Sequence, residues 1–177
     1  NSSVGFLIDD IDYSGQGGIA TLFDVDQVEV FRGPQGSRSG ANALAGLIYI
    51  KTKDPTEKFD GTSELTLGDY GTQNIGIAFG GPMQNKKLKY RLVLRTDYAD
   101  GFRKNIYLNK SDTSKKDELT LRYKLNWELN ETTNLDFLVS KVDMDDPADI
   151  WTIDGSLNTL SDRPGMDSQN TNSYGIK

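Results

Sequence analysis

Histidine and cysteine are both absent from the 177 residues, which removes the commonest general base, the commonest metal ligand and every thiolate. Catalysis or metal binding would have to rest on carboxylates, lysines and tyrosines. The densest carboxylate group is Asp143, Asp145, Asp146 and Asp149. It matches a calcium loop only loosely, because no glycine sits at the sharp turn and no glutamate closes the set. A solvated loop is the better reading, and no metal is expected. Gly33–Gly40 is glycine-rich but lacks the Gly-Lys-Ser/Thr ending that would hold a phosphate and its magnesium. No carboxylate pair has the context of a glycoside hydrolase, so neither enzymatic activity nor a cofactor is expected. The net charge of -6 opposes nucleic acid, whose phosphates need a basic face. What remain are binding groups: Tyr13, Ser14 and Gln16 in one loop, Tyr107 and Trp151 in others, and the basic set Arg91, Arg95, Arg122 and Lys124.

Two regions with different patterning must position these groups. In the first, Val4–Ile8, Val28–Phe31 and Leu47–Ile50 are short apolar runs that read as buried strands of a mixed sheet. Gly33–Gly46 between them is dominated by small residues, and Ala41–Ala45 reads as one short helical turn. Residues 56–61 are mostly polar, follow Pro55 and read as a linker. Beyond them the pattern has period two, the mark of strands with two unlike faces. Leu88, Tyr90, Leu92, Leu94, Thr96 and Tyr98 share one face, and Lys89, Arg91, Val93, Arg95 and Asp97 the other. Glu118–Leu129 repeats this, with Leu119, Leu121, Tyr123, Leu125, Trp127 and Leu129 on the apolar side. Ile75, Ile77 and Phe79 mark another strand, and Leu65 and Leu67 a weaker one. A fifth begins at Leu135, Phe137 and Val139, with a bulge expected where Leu138 and Val142 break the phase.

No stretch approaches the roughly 18 to 20 apolar residues of a membrane helix. Barrel strands, however, show lipid only every second residue. Gly80–Lys87 and Asn130–Asn134 are short links, whereas Asp100–Asp117 and everything after Met144 are long and polar. Short turns at one end and long loops at the other suit a transmembrane barrel, with Tyr90, Tyr98, Tyr123 and Trp127 expected near the interfaces. On periodicity alone a soluble sandwich or adhesin domain with one wet face stays open.

Val28–Pro55, VEVFRGPQGSRSGANALAGLIYIKTKDP, strongly resembles the end of the plug of TonB-dependent outer-membrane receptors. In these a V-E-V-x-R-G-P-x-G run precedes a small-residue turn, an N-A-x-x-G element and a strand ending in basic residues and proline. VGFLIDD and LFDVD upstream resemble the usual lead-in. Departures are Asp10 where the family has glycine, Ala45-Gly46 for a double glycine, and Ala41-Asn42 where an arginine precedes the asparagine.

The resemblance implies an α+β plug fragment over residues 1–55, followed over 62–177 by antiparallel all-β structure. That structure would be about five strands of a plugged barrel whose full complement is roughly 22 strands. The chain is therefore expected to be incomplete. The N-terminal plug half, with the segment that binds TonB, would lie outside it, and the sheet edges would either pair with other chains or be partly disordered. No leader is expected, since Asn1 opens on polar residues. The implied function is TonB-dependent import of a scarce nutrient, a ferric siderophore first, across the outer membrane of a Gram-negative bacterium. Cobalamin, heme or a glycan is the alternative cargo, and a receptor or adhesin without transport the alternative role. Glu29, Arg32, Gly33, Pro34, Gly36, Gly40, Asn42 and Gly46 would form the structural and gating motif of the plug. Arg32 would pair with barrel carboxylates. Tyr13, Ser14 and Gln16 would lie near an extracellular ligand. Arg91, Arg95, Arg122 and Lys124 would face the lumen, either pairing with plug carboxylates or guiding an anionic cargo.

Overall fold

The computed structural model describes residues 3–19, 21–36, 43–84, 86–149, 152 and 154–177. The chain divides into two compact units, Asn1–Pro55 and Thr56–Lys177.

The first unit holds strands β1 (Val4–Ile8), β2 (Ile11–Asp12), β3 (Val25–Arg32) and β4 (Gly46–Thr52), in the order β2-β1-β4-β3. The sheet is mixed: β1 runs parallel to β4, from Val4 opposite Gly46 to Ile8 opposite Ile50, and β3 runs antiparallel to it. Leu47 and Ile50 of β4 are buried with Tyr13, Ile19, Phe23 and Ala43. Asp9 and Asp10 join β1 to β2 with φ of 49° and 70°, the left-handed pair that a tight hairpin turn requires. Aspartate tolerates that region better than most residues, so the glycine missing at position 10 does not cost the turn. The Asp9 carboxylate also anchors it, accepting from Thr52 N at 2.9 Å and Thr52 Oγ1 at 2.6 Å. Among the described residues the unit's helical parts are a 3-10 turn, Gly17–Ile19, and the single position Gly36. The α part of the expected α+β class is not shown among them. Residues 43–45 of the expected helical turn are non-helical, and Ala41 and Asn42 lie outside the described residues.

The second unit is built on a six-stranded sheet of β5 (Asp60–Leu67), β6 (Gln73–Pro82), β7 (Leu88–Ala99), β9 (Lys116–Asn130), β10 (Thr133–Ala148) and β12 (Gly165–Ile176). These strands follow one another across the sheet in chain order, and every neighbouring pair is antiparallel. Two short strands in the connecting loops, β8 (Lys104–Asn105) and β11 (Asn158–Thr159), pair with each other in parallel.

Four expectations change here. The sheet has six strands rather than about five: β12 was hidden because Asp167, Gln169, Thr171 and Ser173 on one face meet Ser168, Asn170 and Asn172 on the other, which leaves no apolar alternation. Strand β10 continues to Ala148, so Asp143, Asp145 and Asp146 lie on a strand and not in a loop. No bulge occurs at Leu138–Val142, since the β9–β10 register runs unbroken from Asn134 to Met144; Leu138, Val142 and Met144 sit among the side chains of the opposite face. Finally, β5 begins at Asp60, inside the stretch expected to be a linker.

Candidate functional site

The large sheet reverses the usual distribution of polarity. On β7, Lys89, Arg91, Val93 and Asp97 are buried, Arg91 to 2% exposure, while Leu94 is 39% exposed. On β9, Thr120, Arg122 and Lys124 are buried, while Leu121, Trp127 and Leu129 are exposed. A sheet folding in water does the opposite, because burying charge costs far more than burying leucine. The buried polar face is rich in ion pairs. Lys89 Nζ lies 2.5 Å from both Glu57 and Glu128. Arg91 Nη1 donates to both Asp60 oxygens at 3.2 Å. Arg95 forms a two-pronged pair with Asp97 at 2.8 Å and a third bond to Glu64 at 2.8 Å. Arg91 and Arg95 thus meet carboxylates of their own sheet.

The exposed face carries an apolar band, and its level shifts across the sheet. Read through the strand register, the upper end of the band is Leu67 on β5, level with Tyr98 of β7. On β6 it is Ile75, level with Thr96; on β7 it is Tyr98, 40% exposed, with Leu94 near mid-band; on β9 it is Leu119, level with Thr96. On β10 and β12 it is Val139 and Tyr174, both level with Leu92. One register row makes the shift plain. Ile77, Leu94 and Leu121 are apolar, yet Lys141 and Asn172 in the same row are polar. The band's edge therefore drops by six residues, from the level of Tyr98 to that of Leu92, across the five steps from β5 to β12. With about 3.4 Å per residue and about 4.8 Å between strands, that slope is about 40°. A flat apolar layer meeting strands tilted by about 35 to 45° produces this oblique edge. Tyr98 and Trp127 lie near opposite margins of the band, as interfacial aromatics do. Tyr123, level with Leu92, lies inside it and not at a strand end.

A second cluster closes the loops at one end of the sheet. Asp149 is 2% exposed. Its Oδ2 accepts from Asn105 Nδ2 and Thr113 Oγ1, each at 2.9 Å, and from Thr159 Oγ1. Asn105 Nδ2 also donates to the Ser161 carbonyl at 2.8 Å, and Asn105 Oδ1 accepts from Leu108 N at 2.8 Å. Burial alone would raise the Asp149 carboxyl; the hydrogen bonds from Thr159, Asn105 and Thr113 and the nearby Arg103 charge outweigh it and hold the group below its ordinary value. No sequence signal marked these residues, which are single polar side chains in polar loops. Asp149 is thus neither solvated nor in a metal set, and no acidic group suited to a metal occurs among the described residues.

Of the plug-motif residues, Glu29 lies mid-β3, accepting from Gln27 Nε2 at 2.8 Å. Arg32 ends β3 opposite Gly46, is exposed, and makes no ion pair within its own unit among the described residues. Gly33 has φ +89° and donates to the Ala45 carbonyl at 3.1 Å, and Gln35 N, donating to the Ala43 carbonyl at 2.8 Å, carries the β3–β4 pairing past Pro34. A side chain at Gly46 would place Cβ 2.7 Å from the Phe31 carbonyl oxygen, whereas Gly36 faces open space. Gly40 and Asn42 lie outside the described residues. In the expected ligand loop, Tyr13 is buried, Ser14 Oγ accepts from Phe6 N at 3.0 Å, and Gln16 is exposed. Of the outer-loop aromatics, Tyr107 is exposed and Trp151 lies outside the described residues. Tyr49, facing this loop's sheet, is pushed up to about 12 by burial and by Asp10, whose carboxylate accepts its hydroxyl at 3.1 Å.

No family model matches the chain. Over 158 residues, 82% of the chain, it is 25% identical to the vitamin B12 transporter of Vibrio vulnificus, and it covers 26% of that protein. It is 30% identical over 101 residues to the pesticin receptor of Yersinia pestis, covering 57% of the chain and 15% of the receptor. Among solved structures, the ferric yersiniabactin uptake receptor of Yersinia pestis superposes on 98% of the chain with a TM-score of 0.86 at 23% identity, over 29% of its own length. The siderophore receptor PirA of Acinetobacter baumannii superposes on 98% with a TM-score of 0.70 at 18% identity, over 29% of its length. The chain thus spans less than a third of each of these proteins. Its relatives and structural neighbours are TonB-dependent receptors of the Gram-negative outer membrane, which it matches over a fragment of their length.

Proposed function

We propose that this chain is part of an active importer of the outer membrane, with residues 1–55 the C-terminal part of a plug and residues 56–177 the first strands of the surrounding barrel. The observation that carries this reading is the oblique apolar band on a sheet whose charged face is buried, an arrangement that lipid favours and water does not. The names of the relatives are those of transporters and receptors, not enzymes.

The cargo proposed is a ferric siderophore. The yersiniabactin and pyoverdine uptake receptors among the structural neighbours support it, while the similarity to a vitamin B12 transporter makes cobalamin the competing cargo. An outer membrane has no nucleotide supply, so accumulation needs energy delivered by TonB from the inner membrane. TonB would act on the plug segment N-terminal to this chain. Arg32 and Glu29, with the Gly33-Pro34-Gly36, Gly40-Asn42 and Gly46 backbone, would hold the plug in its resting state. Gln16 and the loops 100–115 and 149–164 are the surfaces offered to ligand.

The test is uptake by cells expressing the full-length protein, with and without TonB, supplied in turn with iron-55 chelates, heme, cobalamin and oligosaccharides. TonB-dependent accumulation of a ferric chelate supports the proposal. Accumulation of cobalamin instead corrects the cargo, and TonB-independent binding without uptake refutes the transport role.

A further inference from the structure

We propose that Asp149 latches two loop segments distant in sequence, 103–113 and 157–161, into one preformed body at the end of the large sheet. The three donors that satisfy its buried carboxylate come from both loops: Asn105 and Thr113 in the first and Thr159 in the second. Backbone bonds tie the same loops, from Lys104 N to the Leu157 carbonyl and from Ile106 N to the Thr159 carbonyl, both at 3.0 Å, and from Asp149 N to the Thr113 carbonyl at 3.1 Å. Asn105 and Thr159 are 0% and 1% exposed. If one loop undocked while the other stayed, a buried carboxylate or a buried amide would lose its partners, which is costly in a low-dielectric setting. The two loops therefore share one opening equilibrium rather than having two.

Arg103 strengthens this coupling. It lies over the Phe102 ring, 5.1 Å from its centroid, and its Nε and Nη1 are buried with no hydrogen-bond partner among the described residues. Its charge is therefore poorly screened and favours the ionised carboxylate. The body so formed presents Phe102, Ile106, Tyr107, Leu157 and Leu160 as exposed apolar side chains from a fixed backbone. Fixing them in advance spares ordering entropy when a ligand is met. The coupling stands on the geometry alone; its use in capturing cargo rests on the outward placement of these loops in the reading above.

The experiment is hydrogen exchange by mass spectrometry on the full-length protein in detergent, comparing native with Asp149→Asn. The expected result is that amides of 104–108 and 157–161 exchange faster together, by roughly tenfold or more, while β7 and β9 do not change. A disulfide between Lys104→Cys and Asn158→Cys, which are register partners, should restore both segments in the Asp149→Asn background and lose that effect on reduction. Faster exchange confined to residues beside 149, no change, or loosening that spreads into β7 and β9 overturns the latch. If Asp149→Asn fails to assemble, Thr159→Val must show the same paired pattern on a smaller scale; its absence overturns the proposal equally. Uptake is not part of this readout, so its failure and that of the transport reading are told apart.

Discussion

Replacing Leu94 by arginine distinguishes a lipid-facing sheet from a wet one. Leu94 lies in the apolar band between Ile77 and Leu121 and is 39% exposed. If that exposure is to water, arginine keeps its aliphatic stem on the neighbours and its head in solvent, so the cost stays within about 0.5 kcal/mol. If the exposure is to hydrocarbon, an arginine near the midplane costs about 2 to 4 kcal/mol, at least roughly a thirtyfold shift of the folding equilibrium. Depth supplies an internal control. Lys141 and Asn172 already occupy outward positions in the same register row, so arginine at Asn172, beyond the oblique edge, should cost no more than about 1 kcal/mol. The assay is denaturant unfolding of the full-length protein in lipid vesicles, with each variant compared at equal slope. Equal small costs at Leu94 and Asn172 would refute both the lipid assignment and the tilt.

Four further outcomes follow from particular contacts. Arg91→Met deprives Asp60 of its arginine, but Asp60 keeps its bond from Thr56 and is half-exposed and can rehydrate, so the loss in unfolding free energy should be about 2 kcal/mol, below the 3 to 5 typical of a fully buried pair. Gly46→Ala forces Cβ against the Phe31 carbonyl and should destabilise the first unit by about 1 to 3 kcal/mol, read as faster proteolysis within 1–55. Tyr49 should remain protonated at pH 11 in a 295 nm titration differenced against Tyr49→Phe, and Asp10→Asn should bring its ionisation back toward the ordinary tyrosine range. Because the folded Asp149 carboxyl is held below its ordinary value, its contribution is fully present above the unfolded-state value of about 3.9 and is lost only as pH falls through the lower folded value. Protection in the joined loops, measured relative to the intrinsic exchange rate at each pH, should thus hold from pH 7 to 5 and fall in stronger acid.

The parts legible in the sequence are those where one physical rule dominates. Leu88 to Tyr98 and Leu119 to Leu129 alternate because one face meets a uniform environment, and the structure makes both strands with the faces as read. The β10 pattern misled because Leu138, Val142 and Met144 place apolar groups on the buried face while Lys141 and Asp143 place charge on the exposed one. That reads as a broken phase, although the register is intact and the exposed face has simply passed the edge of the band. Strand β12 crosses the same edge with polar residues on both faces, so its pairing with β10 has no counterpart in hydropathy. Asp149 was illegible for another reason: its partners lie 44, 36 and 10 positions away, and a hydrogen-bonded node leaves no periodic trace. For the plug motif, Gly33 and Gly46 have reasons visible in the backbone, whereas the roles given to Glu29 and Arg32 came from the family resemblance.

The slip of the apolar edge has a consequence for size. Six residues over five strand steps amount to about 1.2 residues per strand, and around a ring of about 22 strands the slip accumulates to roughly 26 residues. That is the offset with which the last strand would meet the first. Tilting by about 40° also widens each strand's share of the circumference from about 4.8 to about 6.3 Å, giving a ring about 44 Å across its backbone. Inward side chains reaching 6 or 7 Å, at the scale of the arginines and lysines on this sheet, leave an opening about 30 Å wide. A hole of that calibre would leak freely, so if the proposed barrel has about 22 strands, it needs a stopper such as the plug proposed for residues 1–55.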